Sequence, residues 1–167
     1  MLRNIVAALS LIFFVAPVLS AANPQNIGAY KDWSVWKYTN KSRKRCFVYS
    51  NPVKSQPKRL DHGLVSFFVR STLRKGVASE ASVQVGYALK PGSEARVDVD
   101  GRRFSLSTSG NGAWLTKPER ERELVDAMRK GSKLKVSAQS ERGNQTTYAF
   151  SLAGLTEAMA RLKQACP

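Results

Sequence analysis

Hydrophobic and polar residues alternate with a period of two along most of the chain, which predicts β-strands. The clearest examples are Trp33–Tyr38 and Cys46–Tyr49, which are joined by a basic turn. Asp100-Gly101 lies between two alternating runs and predicts a tight hairpin, because a type I′ turn needs positive φ at both central residues. The remaining predicted strands cover residues 64–69, 81–87, 95–99, 103–107, 113–115, 133–139 and 146–152.

Two segments change to a helical period. In the first, Thr116 is predicted as the N-cap, Glu119 completes a capping box, Pro118 lies in the first turn and Gly131 ends the helix. The second helix is predicted to start near Thr156 and to bury one apolar face. The whole pattern predicts a mainly β fold, an antiparallel sandwich or flattened barrel of about eight strands with two covering helices.

The N-terminus has the parts of a secretory signal peptide: a basic Arg3, an uncharged apolar run over Ile5–Leu19, and small residues up to Ala22. The apolar run is short for a bilayer-spanning helix, so we expect cleavage near Ala22 and no transmembrane span afterwards. An uncleaved anchor is the alternative. The predicted organisation is a signal peptide over 1–22, a flexible lead over 23–31 and a single domain over 32–167.

Cys46 and Cys166 are the two cysteines of the chain. In an oxidising compartment two such thiols are expected to pair. We therefore predict a structural disulfide that fixes the C-terminal segment to the strand containing Cys46. The spacing excludes a Cys-x-x-Cys redox motif.

The formal net charge of +15 favours polyanionic partners such as phosphorylated lipid, sulfated glycan or acidic protein. The basic residues are grouped, and two groups flank the strand that contains Cys46, so they are candidates for one shared surface. The residues predicted to bind a polyanion are Lys41, Arg43, Lys44, Arg45, Lys54, Lys58 and Arg59.

Aromatic residues alternate through the first two strands. Their interleaving with basic residues is similar to a stacking platform for single-stranded nucleic acid, but aromatics at period two in a β-protein usually form the core, and export removes the chain from cellular nucleic acid. We therefore predict a core role and no specific nucleic-acid partner. These residues are Trp33, Trp36, Tyr38, Phe47 and Tyr49.

Residues suited to catalysis are scarce. The single histidine, His62, follows Asp61 in a loop and is interpreted as a turn residue, and no Gly-x-Ser-x-Gly elbow supplies a nucleophile. Asp98 and Asp100 fit hairpin-turn chemistry. One histidine and two paired cysteines do not make a zinc site, and no phosphate-binding loop is present. We predict neither enzymatic activity, nor a cofactor, nor a metal.

Several ordered segments together resemble the invasion-associated locus B family of α-proteobacterial exported proteins. They include Asp32-Trp33-Ser34-Val35, Cys46-Phe47-Val48, Lys90-Pro91-Gly92-Ser93, Gly112-Ala113-Trp114-Leu115, Ala127-Met128-Arg129-Lys130-Gly131, Ser151-Leu152-Ala153-Gly154 and Ala165-Cys166. The chain departs from the family pattern at His62 and Asn144. The resemblance implies export, a β-rich fold and an interaction role, and it carries over no catalytic residue.

These observations lead to one main functional hypothesis. The protein is expected to be a periplasmic or secreted, non-enzymatic factor that recognises anionic envelope or host-surface components through its basic loops, in aid of invasion or host association. The alternative is a periplasmic structural or chaperone-like factor that binds exported proteins through an apolar patch or an open sheet edge. The sequence does not indicate an oligomeric state.

Overall fold

The structure is a computed structural model that describes residues 23–40, 43–72 and 79–166. The predicted signal peptide and Lys41 lie outside these residues. The described part contains eleven strands and two helices. The strands are β1 (Gln25–Tyr30), β2 (Trp33–Asn40), β3 (Arg43–Ser50), β4 (Lys54–Gln56), β5 (Ser66–Ser71), β6 (Ser79–Gln84), β7 (Glu94–Val99), β8 (Arg102–Ser109), β9 (Gly112–Trp114), β10 (Lys133–Gln139) and β11 (Gln145–Ser151). The helices are α1 (Pro118–Lys130) and α2 (Leu155–Ala165).

All eleven strands belong to one antiparallel sheet with the order β1-β2-β3-β5-β6-β9-β8-β7-β10-β11-β4. The mainly β, antiparallel architecture with two helices is confirmed. The prediction of about eight strands in a sandwich or barrel is not, because the sheet is open, with β1 and β4 at its edges. Two strands, β1 and β4, were not predicted. β4 forms by pairing with the longer β11, and its three residues are too few to show an alternating pattern of their own.

The sheet curls so that its two halves share one core. Phe67 on β5 and Phe150 on β11 are separated by six strand positions, which would place them about 29 Å apart in a flat sheet. Their ring centroids are 5.8 Å apart. Trp33 on β2 also contacts the opposite half of the sheet, because its Nε1–H donates a hydrogen bond to the Ser151 carbonyl of β11 at 3.0 Å. The core therefore lies between facing parts of a single sheet.

The Asp100-Gly101 hairpin is confirmed. Asp100 has φ 46° and Gly101 has φ 95°, and these two residues join β7 to β8. Asp100 also accepts hydrogen bonds from the Ser132 and Lys133 amides at 2.6 and 3.2 Å, which ties the hairpin to the start of β10. The carboxylate thus has a structural role that agrees with its interpretation as turn chemistry.

The first helix begins differently from the prediction. Thr116 is not its N-cap; the cap is Lys117, which makes no side-chain capping bond, and α1 starts at Pro118. A residue before proline is held in an extended conformation, here with φ −98° and ψ 122° at Lys117, so the helix cannot begin earlier. Glu121 is buried and accepts a hydrogen bond from the Ala81 amide at 3.0 Å, which anchors α1 to β6.

Residues 23–31 are not the flexible lead that the sequence predicted. Gln25–Tyr30 forms β1, which pairs with β2, and its Ile27 and Tyr30 pack against the core. The end of β1 lies against Gly154, the N-cap of α2. A Cβ added to Gly154 would lie 2.0 Å from the Tyr30 carbonyl oxygen. This close approach positions α2 against the first strands.

The predicted disulfide is confirmed. Cys46 on β3 and Cys166, immediately after α2, are bonded with their Cα atoms 6.0 Å apart and 120 residues apart in sequence. Leu155, Ala158 and Leu162 bury the inner face of α2 in the core. The bond therefore holds α2 against the core side of β3. Neither helix of the described residues is long and apolar enough to cross a membrane.

Candidate functional site

The first basic group lies at one end of the β2–β3 hairpin. Arg43, Lys44 and Arg45 open β3; the first two are exposed and Arg45 is half-buried. Within the part of the chain that the structure describes, none of the three forms an ion pair with a carboxylate. Arg43 and Lys44 therefore present to solvent charges that no described carboxylate pairs.

The second basic group lies elsewhere. From Arg43, β3 carries the chain about 24 Å, at about 3.4 Å per residue, before the connection to β4 begins. Lys54 opens β4, which pairs with β11 at the far edge of the sheet, and Lys58 and Arg59 are exposed in the turn that follows. The two basic groups therefore begin at opposite ends of β3, and a single surface formed by both stays a prediction.

The aromatic residues of β2 and β3 are divided between two faces, contrary to the prediction that they are core. Only Trp33 is fully buried in the core, beside Val35 and Val48. The others lie on the opposite, outer face of the sheet and are joined there by an aromatic residue of β5. This aromatic face consists of Trp36, Tyr38, Phe47, Tyr49 and Phe68.

The strand register explains how the aromatic face is assembled. Trp36 pairs with Phe47, and Tyr49 pairs with Phe68, so the rings come together across three strands. Neighbouring ring centroids are 5.8 to 6.4 Å apart in tilted or edge-on arrangements, within the range of favourable aromatic pairs. Sequence alternation could not find this surface, because both faces of β2 and β3 carry apolar residues.

Arginines border the aromatic face along β3 and on β5. Arg45 and Arg43 are two and four residues before Phe47 on β3, so they lie on the same side of the sheet. Arg70 pairs with Phe47 from β5 and forms an ion pair with Glu80. The outer surface of β2, β3 and β5 is therefore aromatic in the middle and basic at its borders.

His62 does more than complete a turn. Its Nδ1 lies 2.9 Å from the hydroxyl of the buried Tyr148, and its Nε2 lies 3.0 Å from the Pro57 carbonyl oxygen. Tyr148 in turn donates to the Tyr87 hydroxyl at 2.9 Å, and Tyr87 contacts Thr146, which donates to the Ala138 carbonyl at 3.1 Å. The network fastens the loop after β4 to β11.

The network runs between two backbone carbonyl oxygens, those of Pro57 and Ala138. The side chains of His62, Tyr148, Tyr87 and Thr146 join these two carbonyl groups in turn. This arrangement gives the His62 side chain a structural explanation independent of catalysis.

Replacing Tyr148 with Phe is expected to lower the free energy of unfolding by about 1–3 kcal/mol, because His62 and Tyr87 lose their buried partner. Burial, with the Tyr87 hydrogen bond, raises the pKa of Tyr148. The unfolded phenol ionises near pH 10, so this stabilisation is present below about pH 10 and is lost as the pH rises further. Urea unfolding of both proteins from neutral to alkaline pH measures the effect. An unchanged difference between them above pH 10 would contradict it.

A groove of about 880 Å³ lies beside the start of α1 and carries both signs of charge. Asp98 and Arg103 in its wall are 3.5 Å apart and partly neutralise each other. Across residues 23–40, 43–72 and 79–166, no cluster of three or more histidine, cysteine or acidic side chains is arranged to hold a metal ion. The aromatic face with its arginines is thus the most distinctive surface of the described chain.

Comparison with known proteins identifies the family of the chain. A family model described as "Invasion associated locus B (IalB) protein" matches residues 33–163, which include both the aromatic face and the core strands. The chain belongs to the invasion-associated locus B family. The resemblance inferred from the sequence is therefore confirmed.

A solved structure supports the fold of this family member. The crystal structure of invasion associated protein b from Bartonella henselae matches with a TM-score of 0.60 and 18% sequence identity, covering 87% of this chain and 96% of that chain. At this identity the likeness shows a common fold. No curated protein matches the chain.

Proposed function

We propose that this protein is an exported, non-enzymatic recognition factor that associates with anionic groups on a host or envelope surface through the basic end of β2–β3. Membership of the invasion-associated locus B family supports a host-association role. The observation that carries the proposal is the basic Arg43–Arg45 segment, which is exposed at Arg43 and Lys44 and half-buried at Arg45. It has no described acidic partner and continues directly into the aromatic face. The net charge of +15 favours approach of the whole molecule to an anionic surface.

A charge-reversed variant tests this proposal. Changing Arg43, Lys44 and Arg45 to Glu is expected to weaken binding to long-chain inorganic polyphosphate by at least about 100-fold. Each positive charge lost near an anionic surface costs about 1 kcal/mol, and the new carboxylates add repulsion. Binding by the native protein is also expected to weaken from low to high salt, because exposed charges are screened within about 10 Å. Titration with fluorescent polyphosphate measures both effects.

The matched control reverses Lys54, Lys58 and Arg59, which changes the net charge by the same amount at the second basic group. We expect its affinity to stay within about threefold of the native value, the size of a long-range charge effect. Equal losses in both variants would show that only net charge matters and would contradict a localised site.

The apolar character of the aromatic face favours a second candidate, a periplasmic factor that binds exported client proteins. The edges of the sheet are less suited to that role, because β1 has a register shift between Asn26 and Gly28, and a bulge of this kind hinders pairing with another strand. Retention of unfolded-protein binding in the Arg43–Arg45 variant would favour this candidate over the first.

A further inference from the structure

The aromatic face is larger than the fold requires. Val35, Val48 and Val69 already fill the core side of the three strands that carry it. α2, the helix that packs against β2 and β3, does so on the Cys46 side. Contiguous apolar side chains on the outer side of a sheet are typical of sites of interaction.

The rings remain accessible to a ligand. All five members of the aromatic face are half-buried, and the centroid of each ring lies within 6.4 Å of another. Among the residues that the structure describes, the hydroxyls of Tyr38 and Tyr49 have no hydrogen-bond partner. Tyrosines placed in this way offer an apolar ring and a free polar tip, a combination enriched at recognition surfaces.

The neighbouring charges identify the kind of occupant. Along β3 the outer side reads Arg43, Arg45, Phe47 and Tyr49, a strip of about 20 Å in which two guanidinium groups lead into two rings. Arginine matches carboxylate and sulfate oxygens with paired hydrogen bonds. A fitting ligand therefore combines flat apolar faces with regularly spaced negative charges.

Resting on the proposed function, we propose that this strip and the aromatic face bind a linear sulfated, uronate-containing polysaccharide. The C–H faces of successive sugar rings stack on Trp36, Phe47 and Tyr49, and their sulfate and carboxylate groups pair with Arg43 and Arg45. Sheet faces of other small β-folds bind oligosaccharides and oligonucleotides in this way. A lipid bilayer fits less well, because half-buried rings set on a strand surface cannot insert among acyl chains.

Replacing Trp36 with Ala tests the stacking component. We expect about a tenfold loss of affinity for a heparin octasaccharide, comparable to the loss when one aromatic platform is removed from a stacked ligand. Affinity for polyphosphate, which has charge but no ring, is expected to change by less than about twofold. Trp36→Phe, which keeps a ring, should recover most of the octasaccharide binding. Isothermal titration of native protein and variants with both probes measures this.

Val53 provides the control. It lies in the connection before β4, where its amide donates to the Ala149 carbonyl of β11, and 66% of its surface is exposed, so Val53→Ala should bind both probes as the native protein does. Tyr38→Ser at the rim of the aromatic face is the milder test if Trp36→Ala fails to fold, and we expect it to lose about threefold for the octasaccharide.

The outcomes separate this inference from the proposed function. Native octasaccharide affinity in both Trp36→Ala and Tyr38→Ser overturns the polysaccharide assignment, even if the Arg43–Arg45 reversal abolishes polyphosphate binding. Equal losses for polyphosphate and octasaccharide in Trp36→Ala also overturn it, because stacking would not be the cause. Tighter, Trp36-dependent binding to an unfolded protein than to the octasaccharide would assign the face to client proteins instead.

Discussion

Replacing Cys46 and Cys166 with Ala is expected to lower the free energy of unfolding by about 4 kcal/mol. The disulfide joins residues 120 apart in sequence, so it closes a long loop in the unfolded chain. This lowers the conformational entropy of the unfolded state and thereby favours the folded state. Cys46 is also buried in the core, and the bond fixes the end of α2 there. Urea unfolding followed by circular dichroism measures the loss.

A reduction experiment is the control for this prediction. The native protein unfolded in the presence of a strong thiol reductant should show the same loss as the double variant, and the variant itself should be insensitive to the reductant. A loss below about 1 kcal/mol in both would contradict the view that this bond is a principal stabiliser. Because β3 carries the disulfide on its inner side and the aromatic face on its outer side, the same variant should also weaken octasaccharide binding.

Replacing Trp33 with Ala is expected to cost about 3–5 kcal/mol, the usual range for removing a large aromatic side chain from a core. Trp33 is 1% exposed and spans the curl of the sheet, where its indole donates to the Ser151 carbonyl at 3.0 Å. The substitution thus leaves a cavity and an unpaired carbonyl at the point where the two halves of the sheet meet. Chemical unfolding at neutral pH measures the change.

Two further variants divide this cost into its parts. Trp33→Phe keeps most of the apolar volume and loses the indole hydrogen bond, so about 1–2 kcal/mol is expected. Trp114→Ala, at a partly exposed position on β9, should cost less than about 1 kcal/mol. A similar cost at Trp33 and Trp114 would contradict the assignment of Trp33 to the junction.

Much of the fold was predictable because its signals are local. The type I′ turn at Asp100-Gly101 depends on two residues that tolerate positive φ, and the β10–β11 hairpin shows alternation on both sides of its turn. The edge strands gave no such signal. β1 forms because β2 offers it a hydrogen-bonding edge, and only Ile27 and Tyr30 contribute apolar contacts.

The candidate site was predictable only in part. The basic segment Arg43–Arg45 was visible from composition, but its separation from Lys54 depends on the sheet order, which pairs β4 with β11 rather than with β3. The division of the aromatic residues was hidden for a different reason. Alternation separates the residues of a strand into two faces. When both faces are apolar, it does not identify which face packs in the core.

The hydrogen-bond partners of His62 could not be predicted from the sequence either. Tyr148 lies 86 residues away in the chain and meets His62 only through the pairing of β4 with β11. No local pattern reports such a contact, so a loop histidine was naturally interpreted as a turn residue. The absence of catalytic activity stays a prediction.

The most direct test of the account is a map of the surface that the ligand contacts. Amide chemical shifts of isotope-labelled native protein, recorded during titration with the heparin octasaccharide, identify the residues involved. We predict shifts concentrated on the outer side of β2, β3 and β5, centred on Phe47 and including Arg43 and Arg45, with little change in β4 or around His62. Shifts centred on Lys54–Arg59, or on the groove beside α1, would contradict the central claim that the aromatic face is the recognition surface.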